Sequence, residues 1–321
     1  MNRFIARSSF ILSLLIVSLP YASATQKAGS AAQEVDYFKK GQEFGKMVRE
    51  AATQQDESLF GFGDKELIRL QNTLYNEGPS TEAHKTAFKN YQTYFKGVKE
   101  ALSSYIPLPK TDPLSLMMNY SIKMNQDIAD AIIMAPDMAT IRTSVGTIMS
   151  KAMQDATKLA PKIPQVTFTL NTNHPYYKEG YAVGKISCEW IILEAQGKTT
   201  SEDDQIALQK RTVTFISNSS QPGTPQEEAI AASLQYISGM KKALEELDLE
   251  ATIARYKPSK ERAEKMRVTY KLAIDMAQNL FDSMQNPQKG FDSVGESFKE
   301  AAAKMNRLEG AADTNRQQKA A

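Results

Sequence analysis

The chain has 321 residues, 41% of them hydrophobic and 24% charged, with 16 glycines and 13 prolines. That composition excludes a disordered chain, and the length allows two domains of ordinary size. The 39 Lys+Arg residues nearly balance the 37 Asp+Glu residues without long runs of one sign, so no basic stripe is offered to nucleic acid or to an anionic membrane. Two histidines and one cysteine leave too few ligands for an ordinary zinc site and no internal disulfide.

In chain order, residues 1–24 carry Arg3 and Arg7, an apolar run over 10–19, and Ala22-Ser23-Ala24 as a small-residue cleavage site. They read as a secretory signal peptide cut near Ala24, which places the mature chain in the periplasm or outside the cell. The apolar run is roughly half the length a membrane-crossing helix needs, and no later stretch is long and uncharged enough, so no transmembrane segment is expected. Removing the signal takes Lys+Arg from 39 to 37 against Asp+Glu 37, which leaves a neutral mature chain. Thr25 follows the cut, so no cysteine stands there for lipid attachment. Residues 25–34 are small and polar, a flexible lead-in.

A first helix is predicted from 35 to about 53, with Phe38, Gly41, Phe44, Val48 and Ala52 at helical spacing. Gly41 and Gly45 lie about one turn apart on one face. Glycine in a helix interior costs roughly 1 kcal/mol against alanine, so the pair points to close approach of another backbone. The stretch 60–63 breaks the pattern; Asp64 is a candidate N-cap, and Leu67, Leu70 and Leu74 mark a second helix. The third carries Phe88, Tyr91, Phe95, Val98, Leu102 and Tyr105, and Ile106-Pro107-Leu108-Pro109 ends it, because proline disfavours helical geometry in the residue before it. A fourth helix is expected over 113–134 and a fifth over 138–160. Residues 166–170 alternate like a strand but read as extended chain within a linker, 161–174.

The second half repeats this order. Gly41, Gly45 and Lys46 return as Gly180, Gly184 and Lys185, an offset of 139. Tyr94, Gly97, Lys99, Ala101 and Leu102 return as Tyr236, Gly239, Lys241, Ala243 and Leu244 at 142, and Ser144-Val145-Gly146 returns as Ser293-Val294-Gly295 at 149. The apolar seam Phe88, Phe95, Val98, Leu102, Tyr105 maps onto Ile230, Ile237, Met240, Leu244, Leu247. Thr224-Pro225-Gln226-Glu227 reads as a capping box, and two further seams run from Ala263 to Met284 and from Phe291 to Leu308. The expected fold is all-α, a tandem duplication of a roughly five-helix unit: unit 1 over 35–160, unit 2 over 175–308, then a disordered tail, 309–321. A period of about 130 residues is too long for tetratricopeptide, ankyrin or HEAT repeats.

Candidate chemistry is sparse. His84 falls on the third helix's seam and reads as a packed or helix-start residue; His174 precedes Pro175 in the linker; Cys188 reads as a buried structural thiol. Gly197-Lys198-Thr199 has only the last letters of a phosphate loop, with no strand before it, and Glu202-Asp203-Asp204 reads as an acidic helix start. Gly41, Gly45, Gly97, Gly180, Gly184 and Gly239 are the candidate helix-packing residues. Gly45→Leu and Gly184→Leu are expected to overpack, with alanine much milder. Met117, Met118, Met124 and Met134 admit two readings, core packing or a soft interaction surface for apolar segments of other proteins.

Tyr37 or Phe38 with Gly41 and Gly45, followed by Lys96-Gly97-Val98-Lys99-Glu100-Ala101-Leu102, resembles two pieces of a known module. It is the helical N-terminal dimerisation module of exported FKBP-type prolyl isomerases, the macrophage infectivity potentiator-like proteins. Gly180, Gly184 and the run from Gly239 to Leu244 supply the same pieces again. The pieces stand farther apart here, with an extra helix between them, and no strand-rich catalytic domain is read in this chain, so isomerase activity does not transfer. The resemblance implies a helical, exported, dimerising or client-holding module.

The functional expectation is a non-enzymatic protein with no cofactor, acting through other proteins, or itself as a dimer, as a scaffold, assembly factor or holding chaperone. The alternative is a carrier of a small apolar or lipid-like ligand between helices.

Overall fold

The computed structural model describes residues 35–54, 65–109, 113–159, 165–198, 200–219, 224–286 and 291–320. The expected signal peptide and lead-in, the break at 60–63, the expected Asp64 cap, residue 160 and residues 161–164 of the linker lie outside them.

Among the described residues the fold is all-α. The first half contains α1 (Tyr37–Gln54), α2 (Lys65–Asn76), α3 (Glu82–Ser103), α4 (Pro113–Met134) and α5 (Met138–Leu159). The second contains α6 (Pro175–Ala195), α7 (Glu202–Ser219), α8 (Gln226–Glu245), α9 (Leu249–Tyr256), α10 (Lys260–Gln285) and α11 (Asp292–Ala320). Thr81 caps α3 by accepting the His84 N–H, and the His84 ring, itself buried, reaches the Glu77 carbonyl at 3.2 Å. His174 caps α6, its ring accepting the Tyr176 N–H at 3.3 Å ahead of Pro175 at the first helical position. Residues 165–171 form no strand; Gln235 on α8 pins them, donating to the Thr169 carbonyl and accepting the Asn171 N–H.

Three boundaries differ from the sequence reading. Among the described residues the second half has six helices, because α9 forms where the first half has the extended stretch 105–109. There the paired prolines Pro107 and Pro109 deny helix, whereas Asp248 accepts the Ala251 N–H at 2.9 Å and Lys257 closes α9 in the left-handed region at φ 49°. Helix α8 opens at Gln226 with Pro225, not Thr224, at the cap position. Finally, α11 does not stop near Leu308: it runs to Ala320, and Glu309 at the head of the expected tail is packed against Arg142. A lone Gly310 among good helix formers, with no proline after it, does not end a helix.

Within each half the closest pair is the glycine-bearing helices, α1 on α3 and α6 on α8. The halves meet along α5 and α11, which run antiparallel: Asn306 bonds Ala139 and Thr143, Gly146 faces Lys299, and Gly295 faces Ser150. A second bridge joins the starts of α2 and α7 through Lys65 and Asp203 (2.6 Å) and Arg69 and Glu202 (3.8 Å).

Candidate functional site

The six glycines stand where two helix backbones touch. A Cβ on Gly41 would lie 1.8 Å from the Tyr94 carbonyl oxygen, and one on Gly180 would lie 1.9 Å from that of Tyr236. From the facing helices, a Cβ on Gly97 would lie 2.0 Å from the Phe38 carbonyl oxygen and one on Gly239 2.1 Å from that of Tyr177. Gly45 meets the Val98 carbonyl at 2.8 Å and the Ala101 Cβ at 2.7 Å; Gly184 meets the Met240 carbonyl and the Ala243 Cβ, both at 2.7 Å. The obstacle in each case is backbone or a short fixed methyl group. The expectation that alanine would be mild therefore fails on geometry: one methyl group already forces the helices apart.

One turn further along each pair, the same acceptor is met by different donors. Arg49 donates to the Ala101 carbonyl at 3.3 Å and to Ser104, while the Cys188 thiol donates to the Ala243 carbonyl, also at 3.3 Å. Burial pushes that thiol up to about 11, so Cys188 stays protonated and structural at neutral pH.

The four methionines separate. Met118 and Met124 are buried in the core, which bears out the core-packing reading for them and corrects the interaction-surface one: α4 packs on both α3 and α5, and its inward stripe takes them. Met134, at the end of α4, is 81% exposed, and the Met117 side chain lies outside the described residues. Two further apolar side chains stand out beside α4. Ile106 is 84% exposed and Tyr120 47%. Ile106 is not on a loose loop, because Asn119 accepts the Leu108 N–H (2.9 Å) and the Tyr105 hydroxyl (2.7 Å) and donates to the Leu108 carbonyl (2.9 Å).

A buried polar junction between the halves was not anticipated from the sequence. Glu194, one turn past Trp190 on α6, is 3% exposed, and its carboxylate accepts the Tyr75 hydroxyl from α2 at 3.4 Å. Burial pushes the Glu194 carboxyl up to about 8, against the pull of Arg262, the Tyr75 hydrogen bond and Lys265. Lys265 on α10 lies over the Tyr75 ring at 5.2 Å, donates to the Tyr75 carbonyl at 3.4 Å, and pairs with Glu261 at 3.2 Å and Glu309 at 4.0 Å. Glu309 in turn holds Arg142 of α5 at 2.6 Å. The one signal in the sequence was a carboxylate on the apolar seam of α6, four residues after Trp190. Its partners are more than a hundred positions away on one side and about seventy on the other, beyond any local pattern.

Between α10 and α11 runs a groove of about 210 Å³ with Val268, Leu272 and Ala301 at its apolar base. Two of its rim cations are paired, Arg267 with Glu250 of α9 outside the groove and Lys271 with Asp275 on the rim. Among the described residues no helix is long and apolar enough to cross a membrane. Comparison of the chain with protein-family models, curated proteins and solved structures found no match.

Proposed function

We propose that this chain is an exported, non-enzymatic helical protein that works through contacts with other proteins, as a scaffold, assembly factor or holding chaperone, and that its halves are two versions of one helical unit. The observation that carries the contact reading is the three exposed apolar side chains on α4 and the segment before it, Ile106, Tyr120 and Met134. Single exposed apolar residues are ordinary, but Ile106 is held out by a three-bond clamp on Asn119, and Tyr120 and Met134 follow it on the adjoining helix. Export is supported by the pattern of residues 1–24, and the paired units by the matched glycine contacts at Gly41 and Gly180, Gly45 and Gly184, Gly97 and Gly239.

The test is suppression of aggregation, read by light scattering from a heat-unfolded client protein, with Ile106→Ser/Met134→Ser beside the parent. Weaker protection by the double variant at an unchanged melting temperature supports the reading. No protection by the parent at molar excess removes the holding function, and crosslinking that captures no partner in a periplasmic extract removes the scaffold.

A carrier of a small apolar or lipid-like ligand is the second reading, and the groove between α10 and α11 is what favours it. At about 210 Å³ it is smaller than the roughly 300–1,000 Å³ of ordinary small-molecule sites. Native mass spectrometry of the purified protein decides: a retained apolar mass supports the carrier, and a clean polypeptide mass counts against it.

A further inference from the structure

Tyr75 ends α2 of the first half, yet its surroundings belong largely to the second. Its hydroxyl bonds Glu194 on α6, and its ring and carbonyl are held by Lys265 on α10. The titratable and charged groups acting on Glu194 are Tyr75 from α2 and Arg262 and Lys265 from α10, with Lys265 itself shared among Glu261, Glu309 and the Tyr75 carbonyl. Through Glu309 the same group of side chains reaches Arg142 on α5. One buried carboxyl thus sits where two first-half helices are fastened to three second-half helices.

We propose that Glu194 is a pH-responsive latch between the halves: its neutral carboxyl accepts the Tyr75 hydroxyl and keeps α2 seated on α6 and α10, and loss of its proton to solvent loosens that seat. The charged form is drawn by Arg262 and Lys265 and takes a stronger bond from the Tyr75 hydroxyl, but burial outweighs all three, so the charge is relieved when water reaches the carboxylate, and that means opening the seat of α2. The linkage follows the same direction, since a carboxyl raised above its unfolded value contributes stability that is complete below the ordinary carboxyl range and is lost as pH rises through about 8.

Trp190, the chain's single tryptophan, is buried one turn before Glu194 on the same helix and serves as the probe. The experiment follows Trp190 emission and its quenching by acrylamide from pH 6 to 9.5 in the full chain, beside Glu194→Gln and Tyr75→Phe. The parent is expected to shift to longer wavelength and become more quenchable with a midpoint near 8, and Glu194→Gln to abolish the transition. Tyr75→Phe removes a hydrogen bond that favours the charged carboxylate, so its midpoint moves upward; this variant serves if Glu194→Gln does not fold. The Cys188 thiol, pushed up to about 11, titrates outside the window. A flat parent profile with unchanged helical circular dichroism overturns the proposal. So does a transition that survives in folded Glu194→Gln, or a Tyr75→Phe midpoint that stays put.

Discussion

The helix pairs α1·α3 and α6·α8 differ at most of their side chains and agree at their contact. Carbonyl-to-glycine approach is the same at Gly41 and Gly180, and the next carbonyl along, Ala101 or Ala243, takes a guanidinium in one pair and a thiol in the other. The comparison teaches which part of such a contact is fixed. Backbone approach at this distance tolerates no Cβ, so it specifies glycine. A carbonyl at the edge of the contact asks only for a donor, and arginine or cysteine satisfies it.

The largest effect expected from breaking the comparison is at the glycines. Gly41→Ala and Gly180→Ala should each lose about 3 kcal/mol or more in denaturant titrations, the upper end of overpacking costs, because a carbonyl oxygen cannot rotate away as a side chain can. The helix propensity gained, about 1 kcal/mol, does not offset this. Similar losses at both sites would sharpen the equivalence of the pairs, whereas a tolerated alanine at either would show that its helices can slide apart.

Next in size is Arg142→Ala, which removes one side of the partly shielded pair with Glu309 and strands that carboxylate beside Lys265. A cost of about 1–3 kcal/mol is expected, between exposed and buried ion pairs, with the salt dependence of stability reduced. An Arg142→Ala chain that melts like the parent would mean the α5·α11 contact rests on packing and the Asn306 hydrogen bonds, without this ion pair.

Smallest is the donor exchange. Cys188→Ala should cost about 1 kcal/mol for the lost bond and packing, and Arg49→Ala a similar amount, since part of the Arg49 site is reached by water. If Cys188→Ala is far more damaging than Arg49→Ala, the thiol has a packing role that the hydrogen bond does not capture.

Helices α1, α2 and α3 were legible because apolar residues recur along them at helical spacing, and the prolines at 107 and 109 mark the end of α3. Tyr94, completely buried, was not in the predicted seam. Helix α3 packs on α1 from one side and on α2 and α4 from others, so it buries more than one stripe and the single-stripe rule undercounts it. Helix α9 was hidden for the opposite reason: eight residues are too few to show a period, and what makes them a helix is the Asp248 cap and the Lys257 turn. The methionines were misassigned in part because Met118, Met124 and Met134 share one helix and one chemistry, while burial follows from which face α4 turns toward α3 and α5.

By itself the sequence determined the all-α class, the position of most helices, and that the paired glycines mark close approach of another helix, since periodicity and residue volume are local properties. Tertiary structure alone decided which carbonyl each glycine admits, which methionine faces water, and that Tyr75, Glu194 and Lys265 meet. Those outcomes depend on how α2, α6 and α10 cross in space, and crossing is set by the sum of many weak packing contacts spread over the whole chain.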